Sequence, residues 1–231
     1  MPMKLLIWDF DGTLGKRKGA WSGALEEVLE REGIPAKREC LRPFIQSGFP
    51  WHTPEIVRPP REAPELWWGR LEPIFARAYE KGAGLRSDQA RRLAGKVRDV
   101  YVAPHHWELF GESVDVLTAL SGRGWRHFLL SNHVPELMAI LTHLGIARLF
   151  DRIFNSAETG VEKPNAAAFR NVLSELPPER TVWMIGDSMT ADVLGAEAHG
   201  IPAVLVRADH PNARRQCRDL TSLLTMLTAD Q

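Results

Sequence analysis

The stretch Lys4-Leu5-Leu6-Ile7-Trp8-Asp9-Phe10-Asp11-Gly12-Thr13 decides how this chain is read. Its apolar half predicts a short buried strand, which breaks directly into two carboxylates spaced two residues apart. Strand side chains alternate faces, so Asp9 and Asp11 are expected to point the same way. Ionised carboxylates held side by side repel unless a cation lies between them. The spot therefore reads as a hard-metal site with a carboxylate nucleophile.

Working outward, residues 126–130, 152–154, 181–185 and 203–206 form further apolar or β-branched runs of the kind found in buried parallel strands. Amphipathic helical patterns separate them. Val114, Leu117 and Leu120 make one stripe. Phe169, Val172, Leu173 and Leu176 make another, with Asn165 as N-cap and Pro177-Pro178 as a stop. Strands alternating with helices predict an α/β fold: a parallel sheet with helices on both faces.

Residues 16–104 break this rhythm. They carry helical stripes (Leu25, Val28, Leu29; Leu71, Ile74, Phe75, Ala78; Ala90, Leu93, Ala94, Val97, Tyr101) and no convincing strand. Ser87 is placed to cap the last stripe, and Pro73 to begin a helix in its first turn. From Phe49 to Pro64 the density of prolines predicts irregular chain. The expected organisation is a core of residues 1–15 and 105–231 with a helical domain, residues 16–104, inserted after the first strand.

The 231 residues can bury a substantial core, and Lys+Arg and Asp+Glu both number 29. Balanced charge gives no footprint for nucleic acid or an anionic membrane surface, and no segment has the length or apolarity of a signal peptide or a membrane span. Cys40 and Cys217 lie far apart in no metal-binding pattern, as reduced thiols of a cytoplasmic protein would.

Four polar clusters fall at predicted strand ends, where open α/β sheets bind ligands. They are Asp9, Asp11 and Thr13; Ser131-Asn132; Lys163-Pro164; and Gly186-Asp187-Ser188 with Asp192. Singly, the last three read equally well as turns or helix caps. In this order, with the helical insertion between the first two, they resemble the haloacid dehalogenase superfamily and its type 1 cap. The resemblance implies a Rossmann-like core with an inserted helical cap domain. It further implies a Mg²⁺-dependent phosphatase that hydrolyses a small phosphorylated metabolite, such as a sugar phosphate or a phosphoglycolate-like acid.

By that resemblance Asp9 is the nucleophile, Asp11 the general acid and base, Ser131 and Lys163 the phosphoryl-binding groups, and Asn132 and Thr13 their neighbours in the substrate site, with Thr13 expected to brace the loop rather than touch substrate. Asp9, the main-chain carbonyl of Asp11, and Asp187 would hold Mg²⁺, with Asp192 orienting them or Lys163. The family's dehalogenases resemble DxYGT at the first motif, whereas this chain keeps a second acid, which suits an alkoxide leaving group. A phosphomutase of the same family would use the same motifs. A receiver-like switch lacks the insertion, and a non-catalytic binding protein has no need of the complete set.

Three further readings concern the insertion. Lys16, Arg17 and Lys18 are either a solvated hinge or the receptor for a second anionic group on the substrate. Trp51, His52, Arg58 and Arg61 are candidates for substrate contact, while Trp67 and Trp68 are expected to pack inside the cap. His105-His106, read as extended chain at a hinge, would face opposite ways, so one metal ion is not expected to take both.

Overall fold

The computed structural model describes residues 3–229. The chain forms two compact units. The first comprises residues up to Lys16, Pro54–Arg61 and everything from Leu109 onward; the second comprises Arg17–Thr53 and Glu62–Glu108. Residues 54–61, inside the expected insertion, thus group with the first unit. Among the described residues no helix is long and apolar enough to cross a membrane.

In chain order the strands are β1 (Met3–Trp8), β2 (Gly15–Arg17), β3 (Trp107–Leu109), β4 (Trp125–Ser131), β5 (Arg152–Asn155), β6 (Arg180–Gly186), β7 (Ala203–Val206) and β8 (Gln216–Cys217). The second unit holds helices α1 (Ala20–Arg31), α2 (Arg38–Leu41), α3 (Pro64–Gly69), α4 (Glu72–Gly82), α5 (Ser87–Ala94) and α6 (Val97–Tyr101). The first holds α7 (Ser113–Gly122), α8 (Leu137–His143), α9 (Ser156–Thr159), α10 (Ala166–Leu173), α11 (Gly195–Glu197) and α12 (Leu223–Ala229).

Six strands build one sheet in the order β5-β4-β1-β6-β7-β8, every neighbouring pair parallel. β1 lies at its centre, with Leu5, Leu6, Ile7 and Trp8 fully buried. Both faces of β1 are covered, which is why its sequence runs apolar without alternation. Leu5 and Ile7 join Phe128, Leu130, Met184 and Phe169 in the core. Trp8 donates through Nε1 to His127 Nδ1 at 3.0 Å, and burial pushes the His127 imidazole down to about 4, so the ring is a neutral acceptor.

Several expectations are corrected in detail. Val114 is 42 % exposed and Val116 takes the inward position on α7. Arg86, not Ser87, stands at the cap of α5, and the single stripe Ala90–Tyr101 is two helices broken at Gly95-Lys96. Asn165 does cap α10, accepting from the N–H of Ala167 at 2.9 Å. β2 and β3 pair with each other where the chain passes between the units. At three residues each they carry too little pattern to be read from sequence.

The second unit is built around aromatic rings. Trp21 stacks on Tyr101 with ring centroids 3.7 Å apart and also meets Phe49, Trp68 and Phe75; Trp51 stacks on Phe49 at 4.9 Å. Trp67 and Trp68 are buried here as expected. Trp51 is therefore part of a packed cluster.

Arg17 is corrected more sharply. It is buried, and its guanidinium donates to the carbonyls of Tyr101, Val100, Lys18 and Ala20 at 2.9–3.0 Å while lying 5.1 Å from the Tyr101 ring. Its donors are spent on the Val100 and Tyr101 carbonyls at the end of α6, where helix carbonyls otherwise lack partners, and on the Lys18 and Ala20 carbonyls around the start of α1. It is a structural tie and no anion receptor. Lys16 and Lys18 stay exposed, Lys16 with its ammonium 5.2 Å from the Phe110 ring.

His105 and His106 are corrected too. Pro104–His106 is a 3₁₀ turn, so adjacent side chains do not alternate, and the two rings lie 4.0 Å apart. Since Arg17 satisfies a set of buried carbonyls, Arg17→Ala should cost about 3 kcal/mol or more of stability. Thermal unfolding followed by tryptophan fluorescence would show it; an unchanged midpoint would mean that water replaces the guanidinium without loss.

Candidate functional site

Because β5, β4, β1 and β6 are adjacent and parallel, their C-terminal ends share one edge of the sheet. Asp9 lies one residue beyond β1, its N–H bonded to the Ile185 carbonyl of β6 at 2.9 Å. The strand stops at Trp8, so the two acids belong to the loop that follows. There the Phe10 carbonyl accepts from the N–H groups of Thr13, Leu14 and Gly15, closing a tight turn. Gly12 supplies the positive φ of 85° that this turn needs. Asp9 is buried and Asp11 exposed.

One ammonium organises the centre. Lys163 Nζ lies 2.9 Å from Asp9 Oδ1 and 2.6 Å from Asp192 Oδ1, with Lys163 itself 2 % exposed. Ser131, the last residue of β4, donates through Oγ to the same Asp9 oxygen at 2.8 Å. Burial alone would depress the lysine, but Asp192 and Asp9 outweigh it and hold the ammonium above its ordinary range. The second Asp192 oxygen accepts from the Ser188 N–H at 3.0 Å. Asp192 sits in a wide helical turn, Met189–Leu194, with i→i+5 bonding from Val193 to Ser188.

Asp9, Asp187 and Asp192 each bring a carboxylate oxygen within 4.8 Å of the others. Burial, then the charges of Asp9 and Asp192, raises the Asp187 carboxyl well above the carboxylate range; Lys163 offsets this in part and Asp11 adds to it. Crowding of this kind fits a cation: the donors are hard oxygens and their mutual repulsion is not cancelled by Lys163 alone. Both Asp192 oxygens are already engaged, which leaves Asp9 and Asp187 as the carboxylates free to turn toward an ion. The approach is close. A Cβ on Gly12 would fall 2.2 Å from Asp187 Oδ2, and one on Gly186 2.2 Å from the Asp192 carboxylate.

The remaining predicted residues support Lys163 or the loop. Asn132 Nδ2 donates to the Lys163 carbonyl at 2.9 Å, and its Oδ1 accepts from the Lys163 N–H at 2.7 Å. Its amide is thus committed to the lysine backbone. Thr13 is fully buried, with its carbonyl accepting from Arg207 Nε at 3.1 Å. Arg58 and Arg61 lie along the lysine's loop through their main chains: Arg58 N–H donates to Gly160 O at 2.8 Å and Arg61 N–H to Glu158 O at 2.7 Å. Asn165 Nδ2 donates to Pro54 O at 2.8 Å, so residues 54–61 run antiparallel to 158–165.

Sequence reasoning missed three residues that shape this edge. Arg207 holds a φ of 58°, stacks on Phe110 at 3.6 Å and pairs with Glu112 at 2.7 Å. A non-glycine residue in that conformation persists only where its contacts fix it. Its one visible signal was its position just past a core strand. His133 is buried edge-on to Phe10, and burial pushes it down to about 4. Glu162 is buried beside Lys163; burial, only partly countered by Ser156, Arg58 and Lys163, pushes its carboxyl up to about 7. Neither residue's chemistry could be told from a loop sequence.

Comparison with known proteins bears on the family and the fold. The family model for haloacid dehalogenase-like hydrolases matches residues 3–200. A phosphoserine phosphatase of Thermus thermophilus is 30 % identical, over 94 % of this chain and 95 % of its own length. A glyceraldehyde 3-phosphate phosphatase of Methanothermobacter thermautotrophicus is 35 % identical over 46 % of this chain and 48 % of its own. Among solved structures, a Bacillus subtilis HAD hydrolase bound to magnesium superposes with a TM-score of 0.75 at 22 % identity, covering 98 % of this chain and 99 % of that one, which is a likeness of fold.

Glu162 gives a prediction whose sign is fixed. The unfolded chain releases this proton near 4.5 and the folded chain keeps it to about 7, so ionisation weakens the wild-type fold as pH rises through that window. Glu162→Gln has no such proton to lose. Its stability relative to wild type in urea unfolding should grow by up to about 1.4 kcal/mol per pH unit across the window and then level off. A difference that does not vary with pH would show that the buried carboxyl is ionised throughout.

Proposed function

The chain belongs to the haloacid dehalogenase-like hydrolases, and on that footing we propose that it is a Mg²⁺-dependent phosphatase acting on a small phosphorylated metabolite through a phosphorylated Asp9. The observation that carries the reading is the Asp9 carboxylate, met on one oxygen by both Ser131 and Lys163, with a second acid, Asp11, two residues on. The named activities of the two phosphatase relatives support the substrate class. Asp9, Asp187 and the main-chain carbonyl of Asp11 would hold Mg²⁺, which when bound would neutralise charge between a phosphoryl oxygen and the attacking carboxylate.

A carboxylate oxygen of Asp9 attacks phosphorus, and the bond from phosphorus to the ester oxygen breaks. Asp11, exposed at the open side of the loop, gives its proton to that leaving oxygen. Lys163 and Ser131, already on Asp9, stabilise the negative charge that gathers on the phosphoryl group. Asp11 then takes a proton from a water molecule whose oxygen attacks the same phosphorus. The bond to Asp9 breaks, phosphate leaves, and both carboxylates return to their starting states. Asp192 keeps the ammonium charged and in place throughout. A halide leaving group would not need the second acid, which favours phosphoryl transfer over dehalogenation.

Release of inorganic phosphate from phosphoserine, glyceraldehyde 3-phosphate, phosphoglycolate and sugar phosphates, with Mg²⁺ or with EDTA, tests the proposal. Mg²⁺-dependent release that vanishes in Asp9→Asn is the expected result; formation of a phosphate isomer without free phosphate would point to a mutase instead. Asp11→Asn should lower kcat by roughly 10²–10⁴-fold on alkyl phosphates and far less on p-nitrophenyl phosphate, whose leaving group needs no proton. Equal losses on both would remove Asp11 from its role as acid.

A further inference from the structure

A second group of metal-ligating side chains lies within the helical unit, on residues that the hydrolase site does not use. Glu27 on α1 and the adjacent pair His105 and His106 each bring a ligand atom within 4.8 Å of the other two. His106 Nε2 is 2.8 Å from Glu27 Oε2. The 3₁₀ turn at Pro104–His106 is what permits both imidazoles to face one point, since it places their rings 4.0 Å apart. From these contacts we propose that Glu27, His105 and His106 form a binding site for a nitrogen-preferring transition-metal ion such as Zn²⁺, separate from the aspartate cluster.

The donor set selects the ion. Two imidazoles and one carboxylate match the three-ligand zinc sites that keep a fourth position for water. Mg²⁺ and Ca²⁺ require oxygen donors, of which this group offers one residue. The edge of a tetrahedron with bonds of about 2.0–2.1 Å is roughly 3.3 Å, so the His106–Glu27 pair needs only a small opening to admit an ion. Burial and then the Arg17 charge lower the His106 imidazole, which favours the neutral form that a metal ion needs. Glu27 is held below its ordinary value: burial, which would raise it, is outweighed by Arg31 and His106.

Arg31 also contacts Glu27, through Oε1 at 2.6 Å, and Arg17 lies near enough to act on His106. Both cations oppose a further positive charge, and only an ion with strong affinity for imidazole overcomes them. The position gives such an ion a consequence. Glu27 follows the first passage of the chain into this unit and His105-His106 precede its exit after Glu108, and the Lys18 N–H already donates to the His106 carbonyl at 2.7 Å. Bound metal would cross-link α1, just after the chain enters the helical unit, to the 3₁₀ turn just before it leaves.

The test uses the full chain, stripped with chelator and then kept in excess Mg²⁺ so that the aspartate cluster is occupied. Zn²⁺ is titrated against a competing chromophore, and Co²⁺ in parallel for its visible ligand-field absorption. Wild type should bind one ion per chain, with a raised midpoint of thermal unfolding. His105→Gln, at an exposed position, and Glu27→Gln should each weaken binding by no less than the roughly 10–100-fold that loss of an outer-shell partner costs a metal site. His210→Gln, far outside the group in sequence, should leave binding unchanged. Binding equally tight in wild type and both ligand variants, thiolate charge-transfer absorption from Cys40 or Cys217, or no binding at all would each overturn the proposal.

Discussion

The fold of the first unit is arranged around one buried ammonium. Lys163 stands between Asp9 and Asp192 at salt-bridge distance from both, almost fully removed from solvent. Without it, two buried carboxylates would face each other unpaired; without them, a buried lysine would lose its proton. Each therefore requires the others, and each comes from a different segment: Asp9 from the end of β1, Lys163 from the loop after α9, and Asp192 from the helical turn Met189–Leu194. The side chain of Asn132 locks the lysine's own backbone from the β4 edge, and the Ser188 N–H locks Asp192 from the β6 edge. The charges are paired well enough to be buried and still leave the Asp187 carboxyl under like-charge pressure, which an incoming cation relieves.

The close approach of these carboxylates depends on backbone as much as on side chains. Gly12 and Gly186 stand where any Cβ would enter the Asp187 or Asp192 carboxylates. On the far side of the first loop, Arg207 fastens the Thr13 carbonyl, Phe110 and Glu112 together while its own backbone sits in the left-handed region. These contacts fix the loop in advance, and the attack proposed for Asp9 would then need little rearrangement.

Much of this was legible in the sequence because burial on both sheet faces writes itself as unbroken apolar runs. Leu5 to Trp8 could be placed without any partner in view, and the polar residues just past three of the runs, Asp9, Ser131 and Asp187, lie at one edge of the sheet, whereas Lys163 follows β5 only after α9. The α10 stripe as far as Leu173 and its Asn165 cap were equally readable, since both are local, although the helix ends at Leu173, before Leu176 and the expected Pro177-Pro178 stop. What was not legible depends on contacts distant in sequence. Arg17 looked like a solvated cation because nothing nearby shows that carbonyls of Val100 and Tyr101 await it. Asn132 looked like a substrate neighbour because only the folded chain shows its amide turned to the Lys163 backbone, whereas Thr13, buried with its carbonyl on Arg207, braces the loop as expected. The histidine pair was misjudged because its reading assumed extended chain where Pro104 starts a helical turn.

The segment 54–61 bears on how this chain could have diversified. It interrupts the helical unit in sequence yet belongs to the sheet unit, tied along the loop that carries Lys163 by Gly160, Glu158 and Asn165. The helical unit is therefore two pieces of chain, and no single cut-and-paste removes it. Recombination that exchanged residues 16–104 as one cassette would carry away the segment bonded along the Lys163 loop together with the helices. An exchange that left the sheet unit whole would have to replace Arg17–Thr53 and Glu62–Glu108 separately, around a retained middle.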